Sequence, residues 1–222
     1  MKKFFAVLEK CALFREIRQE DFGPLLGCFG ARPRHFPRGE TILGEGDPAA
    51  YVGIVLSGAV QVIRVDYYGN RSIMAKLGPA GIFAEAFACA GVPTMPVSVV
   101  AAEDTEVLLL EARRIIHSCG NACQFHNQMI YNLLKVVATK NLVCNQKIEV
   151  MSKRTTREKL LAYLLLEAKR AGKSQFAIPY DRQELADYLE VDRSGLSAEI
   201  SKLRKEGVLL CRKNQFTLLQ EA

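Results

Sequence analysis

Residues 181–207 read DRQELADYLEVDRSGLSAEISKLRKEG, and this stretch decides the fold. Asp181 and Glu184 stand at the spacing of a capping box, which starts a helix that buries Leu185, Ala186 and Leu189. Asp192 is placed to cap a second helix, whose buried stripe is Leu196, Ile200 and Leu203 and whose end is Gly207. Val208–Cys211 and Phe216–Leu219, joined by Arg212-Lys213-Asn214-Gln215, read as a terminal hairpin. Two short helices in close succession and then a hairpin predict a winged helix-turn-helix. Just upstream, Thr156 to Arg170 reads as a helix ending at Ala171-Gly172, and Phe176-Ala177-Ile178-Pro179 as a short extended piece.

With the buried stripe subtracted, the second helix presents Arg193, Ser194, Ser197, Ala198, Ser201 and Lys205 on or near its outer face. Arg193 suits a bidentate contact with guanine or with phosphate, and the serines suit bases or backbone oxygens. Arg182 and Gln183 open the preceding helix, where free N–H groups and the helix dipole favour an anion. Arg212 and Lys213 in the hairpin add two phosphate contacts. Any one of these side chains alone reads as solvated surface; the set on this scaffold predicts binding to double-stranded DNA. Charge points the same way. The chain carries +6, with 16 basic against 14 acidic residues up to Val150 and 14 against 10 in the last 72.

Before this region, Gln124 to Ala171 runs without glycine or proline, and Ile130, Leu133, Val137, Cys144, Ile148 and Met151 recur at helical spacing apart from one seven-residue gap. The length predicts one long helix of about seven to eight turns ending near Ser152, then a joint at Lys153-Arg154-Thr155. Thr155 or Thr156 caps the next helix, with Glu158 in its first turn. The apolar row serves either packing on its own domain or a seam between two subunits. So long a helix outruns a small barrel, so the expectation is a homodimer.

From about Pro33 to Ala112 the pattern is different. Thr41–Leu43, Val52–Leu56, Ala59–Val65, Ile73–Leu77, Val97–Ala101 and Glu106–Leu110 are short apolar or alternating runs, separated by glycine-bearing turns such as Gly44-Glu45-Gly46-Asp47 and Gly78-Pro79-Ala80-Gly81. Such spacing predicts an antiparallel barrel or sandwich. Tyr67-Tyr68-Gly69-Asn70-Arg71 reads as a hairpin turn. The expected class is therefore α+β: a β-barrel sensor domain over 1–122, a dimerisation helix over 123–152 and a winged helix over 153–222. With 222 residues, 49% of them hydrophobic, the chain has ample core and no compositional sign of disorder. No run approaches the roughly 20 apolar residues of a membrane span, and Glu9 and Lys10 interrupt the N-terminal apolar run. The expectation is a cytoplasmic protein with no membrane partner.

On these residues the chain resembles the cyclic-AMP receptor/fumarate–nitrate regulator (Crp/Fnr) family of bacterial transcription factors, over nearly its whole length. Gly39-Glu40, Gly44-Glu45-Gly46-Asp47, Leu56-Ser57-Gly58 and Gly81-Ile82-Phe83-Ala84-Glu85 carry the resemblance in the barrel. Asp181 to Ala186, Asp192-Arg193-Ser194 and the run ending at Gly207 carry it at the C-terminus. It implies a jelly-roll barrel of the cyclic-nucleotide-binding type, a long dimer helix, a winged helix reading a palindromic operator, and RNA polymerase as a further candidate partner. Many relatives carry a second arginine where this chain has Ala198, which implies an unusual half-site.

At the family's sensing site this sequence departs from the pattern. Nucleotide-binding members hold the ribose with a glutamate after a glycine-rich turn, and about ten residues later bind the phosphate with an arginine and a small hydroxylic residue. Glu85 matches the glutamate, but Ala84 replaces the usual glycine and the phosphate positions fall on Met95 and Pro96. No cation occurs from Ala86 to Ala101. A buried phosphate without a cation or a ring of donors costs several kcal/mol, so cyclic AMP is not the expected ligand. Glu85 is then either a ligand contact or a structural cap. Phe83, Ala84, Ala86, Phe87, Met95, Pro96 and Val97, with Cys144 and Asn145 of the long helix, are the candidate lining of an effector site. That site suits a small apolar effector or haem, unless it is a collapsed pocket filled by its own side chains.

Seven scattered cysteines with no CxxC pair read as reduced thiols. Cys11 and Cys28 are 17 apart, unlike the clustered cysteines of iron–sulfur members. His117, Cys119, Cys123 and His126 are ligand types but match no zinc signature, so structural roles are expected and no metal site is predicted; a redox role for Cys119 or Cys123 is the alternative. No GxxxxGK[ST], GxSxG or HExxH motif is present, and no enzyme is expected.

Overall fold

Glycine-punctuated alternation in the first half of the chain builds two four-stranded sheets. The computed structural model describes residues 2–116 and 124–219. Two compact units emerge, Met1–Asp66 with Met74–Asn141, and Tyr67–Ile73 with Leu142–Ala222.

Along the chain, short helices α1 (Phe5–Leu8) and α2 (Phe22–Cys28) precede strands β1 (Arg32–Phe36), β2 (Thr41–Leu43), β3 (Tyr51–Ser57), β4 (Val60–Val65), β5 (Arg71–Leu77) and β6 (Ile82–Phe83). Helix α3 (Glu85–Ala90), strands β7 (Ser98–Ala101) and β8 (Thr105–Glu111) and helix α4 (Ala112–Ile116) follow. One sheet has the order β1-β8-β3-β6 and the other β2-β7-β4-β5; β1–β8, β3–β8, β3–β6, β2–β7 and β4–β7 all pair antiparallel. Non-consecutive neighbours in both sheets are the mark of a jelly roll. Inward residues of the strands, among them Phe36, Val55, Phe83, Val99 and Val107, close one core cluster. On the other side of β3 and β8, Val52, Ile54, Leu108 and Leu110 meet the N-terminal Phe4, Leu8, Phe14, Phe22 and Phe29 in a second cluster.

Helix α5 (Gln124–Met151) is 28 residues long. Met129, Leu133 and Val136 pack into the second cluster and Val137 lies against it. Asn132, 2% exposed, donates to the carbonyls of Leu13 and Arg15 at 2.9 and 2.7 Å. The expected subunit seam is therefore corrected at Leu133 and Val137, which serve the chain's own core. A helical apolar period reveals a buried face but not its partner. Ile130 and Met151 are half-buried, while Cys144 is exposed. The apolar side chains of α5 left open are Tyr131, Leu134, Leu142, Val143 and Ile148, between 43% and 65% exposed; of these, Ile148 belongs to the expected row.

The second unit contains α6 (Thr156–Ala171), β9 (Gln175–Ala177), α7 (Arg182–Leu189), α8 (Arg193–Lys205), β10 (Leu209–Arg212) and β11 (Gln215–Leu218). Local chemistry sets each helix start. Thr155 and Glu158 form a capping box on α6, Asp181 and Glu184 form one on α7, and the Asp192 carboxylate accepts the Gly195 N–H at the start of α8. Leu160, Leu164, Leu185, Leu189, Leu196, Ile200, Leu203, Leu209 and Phe216 are buried, and β9 joins the terminal hairpin as a third strand, in the order β10-β11-β9. Among the described residues, no helix is long and apolar enough to cross a membrane.

Candidate functional site

In the barrel, β6 turns into α3 at Ala84, whose φ of +63° lies in the left-handed region. A residue with a Cβ is held there at a cost of about 1 kcal/mol, which explains why glycine suits this turn. Glu85 follows as the first residue of α3 and is 3% exposed. Its carboxylate is paired with Lys140 of α5, at 2.8 and 2.9 Å to the two oxygens. The same ammonium donates to the Ile82 carbonyl. A carboxylate withdrawn from water needs such compensation, and here it comes from the chain itself. Lys140 was not legible as a site residue, because nothing in its local pattern separates it from the surface lysines of a helix.

Side chains of the barrel core pack closely at Gly53. The Phe83 ring lies so close to Gly53 that a Cβ there would fall 2.1 Å from it, which is why β3 carries glycine at that point. Met95 and Val97 are buried in the same cluster as Phe83 and Ala84, with Phe87 against it. The backbone of Met95 is tied on both sides, its N–H to Asp47 at 2.8 Å and its carbonyl to Gly46 at 2.9 Å. Two parts of the expected effector lining are corrected. Ala86 and Pro96 point outward and are exposed, and so are Cys144 and Asn145; the residue of α5 that reaches Glu85 is Lys140, one turn before Cys144. These residues do not fit a cyclic phosphate: the segment matching the one that supplies its cation in nucleotide-binding relatives has none, and the carboxylate matching their ribose glutamate is already paired.

His126 is 3% exposed; its Nε2 lies 3.0 Å from the Ile115 carbonyl and its ring meets Phe29 edge-on. His117, Cys119 and Cys123 lie outside the described residues. Among the described residues no three His, Cys, Asp or Glu side chains gather as a metal site. Burial pushes the Cys11 thiol up to about 11 and raises that of Cys89, so neither is a ready nucleophile at neutral pH.

In the second unit α8 keeps its buried stripe inward and shows Arg193, Ser194, Ala198 and Ser201 as exposed, with Ser197 half-buried. Two hydroxyls are already engaged. Ser194 donates to the Asp192 carboxylate, whose pKa is lowered chiefly by that bond and next by the Gly195 N–H. Ser201 donates to the Ser197 carbonyl at 2.9 Å. Gln183 is exposed and bonded to Asp187 at 2.8 Å; Arg212 and Lys213 are exposed at the wing turn. Arg182 is also tied to the wing. It is half-buried, donates to the Cys211 thiol at 3.4 Å and lies over the Phe216 ring, so it braces the wing.

Three features add to the predicted face. Lys202 and Arg204 join Lys205 in the last turn of α8. An open cleft of about 390 Å³ runs between Ser201, Arg204 and Lys205 of that helix and Leu210 of the wing. Arg157 of α6 pairs with Glu199 and Glu206 at 3.2 and 2.6 Å, steadying α8 from behind. This is a helix with one buried side, one polar, cation-bearing side and a basic wing beside it, the form that enters a major groove.

Comparison with known proteins agrees with both halves. A cyclic nucleotide-binding domain model matches residues 33–119 and a Crp-like helix-turn-helix domain model matches residues 158–222. The chain belongs to the Crp/Fnr family. It is 27% identical to the cyclic AMP receptor protein of Thermus thermophilus over 89% of this chain and 87% of that protein. It is 24% identical to the transcriptional activator protein FnrL of Cereibacter sphaeroides over 79% and 71% of the two chains. Among solved structures it is similar to FixK2 from Bradyrhizobium japonicum, with a TM-score of 0.67, 25% identity and coverage of 86% and 98%. As a Crp/Fnr member the chain is a DNA-binding transcription regulator, in a family of regulators rather than enzymes.

Proposed function

We propose that this regulator is a homodimer that reads a palindromic duplex and is gated by a small-molecule effector other than cyclic AMP. The observation that carries the second part is the Lys140 ammonium on Glu85, next to a phosphate position made of Met95 and Pro96. For a cyclic nucleotide to bind, the ion pair would open around a buried carboxylate, and the segment from Ala86 to Ala101 would offer the phosphate no cation, a cost of several kcal/mol. The open row of Tyr131, Leu134, Leu142 and Ile148 on α5 supports pairing with a second copy, since a row this long on one helix is the usual material of a two-helix seam. Two copies of α8 set about 34 Å apart enter successive major grooves.

A second reading is favoured by one observation: the Phe83 ring packs against Gly53 and Met95 is buried in the same cluster, as expected of a ligand-independent dimer whose barrel is a scaffold. A single experiment addresses both. Duplexes selected from a random pool by the purified protein are titrated by fluorescence anisotropy, alone, with cyclic AMP and with a small-molecule fraction of cell extract. The expected result is no change with cyclic AMP and a change with the extract. Tighter DNA binding at micromolar cyclic AMP overturns the proposal, and identical curves in all three favour the scaffold reading.

A further inference from the structure

Near the end of α5, Lys147 makes contacts that neither the barrel site nor the DNA face uses. Its contacts with Ile73 and Tyr188 lie within the second unit. Its Nζ donates to the Ile73 carbonyl at 2.7 Å and sits 4.1 Å from the centre of the Tyr188 ring on α7. Tyr188 stacks on Tyr180 at 4.8 Å and leans on Tyr163 at 5.2 Å. The Tyr163 hydroxyl is buried with no hydrogen-bond partner among the described residues, so Tyr163 is held in this cluster by its ring. One ammonium thus touches the strand that follows the 67–70 turn, the end of the long helix, and the helix that leads directly into α8.

Resting on the reading of this chain as a DNA-binding dimer, we propose that Lys147 is a positioning residue: held between the Ile73 carbonyl and the Tyr188 face, its ammonium sets α7, and with it the recognition helix, at the end of α5. A cation on an aromatic face out of water is held more firmly than one at the surface. The charge is also the vulnerable part of the contact. Burial lowers the pKa of Lys147 to about 8, against the opposing pull of Glu190 at the end of α7 and Cys144 one turn earlier on α5. Tyr188, the titratable group facing it from α7, has its own pKa raised by burial, and β5 faces it with the Ile73 carbonyl. As pH rises through about 8, Lys147 becomes neutral and its hold on the Tyr188 ring weakens. Global folding stability moves the opposite way. A lysine pKa below its ordinary value makes the unfolded chain the better proton binder between about 8 and 10.5, so stability rises with pH over that window.

The test measures the ratio of affinities for a selected duplex and for a random duplex, from pH 7 to 9. In the unmodified protein the ratio is expected to fall as pH rises through about 8. Lys147→Met is expected to lower it about tenfold at pH 7, the scale on which coupling residues act, and to leave it flat with pH. Lys147→Arg, which keeps its charge, is expected to hold the ratio through pH 9. Tyr188→Phe keeps the ring face and should match the parent, whereas Tyr188→Leu should match Lys147→Met. A selected duplex bound by Lys147→Met with the parent's ratio and pH profile overturns the proposal alone. A random pool that yields no preferred duplex overturns the DNA reading and this proposal with it.

Discussion

Both halves of the molecule place a charged residue at the start of a short helix after a tight turn. Glu85 opens α3 in the barrel and Arg193 opens α8 in the winged helix. Glu85 is buried and answered by Lys140 from within the chain; Arg193 is exposed. Burial decides which way such a residue acts. A carboxylate out of water must be neutralised by whatever is nearest, so a motif that in relatives looks toward a ligand here looks toward its own helix. A guanidinium at the surface loses nothing by waiting for a partner. Family membership therefore carries over more securely to the outward face of α8 than to the interior of the barrel.

The strongest way to break this comparison is to remove the inward partner. Lys140→Met leaves the Glu85 carboxylate buried and unpaired, and we expect a loss of about 3 kcal/mol in urea unfolding, the usual cost of half a buried pair. Adding Glu85→Gln should restore most of it, because a neutral amide has far less hydration to lose. If Lys140→Met unfolds at the parent's midpoint, Glu85 is solvated in practice and open to a ligand after all, and the contrast between the halves disappears.

On the outward side the expected effect is smaller and of another kind. Arg193→Ala should lower specific affinity by ~1–3 kcal/mol and relax the preference at one base position, with folding unchanged. Selection from a random pool reads both quantities. An unaltered preference would show that α8 is read through its backbone and its neighbours rather than through this side chain.

The two halves also differ in how much of them was legible beforehand. Capping boxes at Asp181 and Thr155, the stripe of Leu196, Ile200 and Leu203, and the exposed Arg193 follow from spacing of three and four residues, because helix starts and faces are local properties. The Glu85–Lys140 pair joins positions 55 apart, and Phe83 fills its space only because Gly53 lies beneath it on a strand thirty residues earlier. Such contacts belong to the topology of the jelly roll, which local pattern does not record. Leu133 shows the same gap in reverse: its period announced a buried face, but whether barrel or second subunit covers that face depends on what α2, β3 and β8 bring near it. Arg182 is an outward residue whose side-chain contacts local reasoning did not anticipate. The helix start favours an anion, yet a thiol and a phenyl ring from the wing, 29 and 34 residues on, hold its side chain instead.

The cap itself offers a milder test of the local half. Asp181→Ala removes the side chain that accepts the Glu184 N–H at 2.8 Å and should cost about 1 kcal/mol of stability. Asp181→Asn should recover most of that, since an amide oxygen also accepts. Equal losses for both would mean that charge at the helix start, rather than the bond, supports α7.

The smallest effect separates the halves by counterions alone. Lys213 at the wing turn and Arg64 at the end of β4 are both exposed cations, and neither substitution should disturb the fold. If the winged helix lies on the duplex and the barrel stands clear of it, Lys213→Ala should reduce the slope of log affinity against log salt by about 0.9, the release accompanying one phosphate contact. Arg64→Ala should leave the slope as it was. An equal drop for both would mean that the duplex reaches the barrel as well, and the outward face would then have to be drawn across both units rather than confined to α8 and its wing.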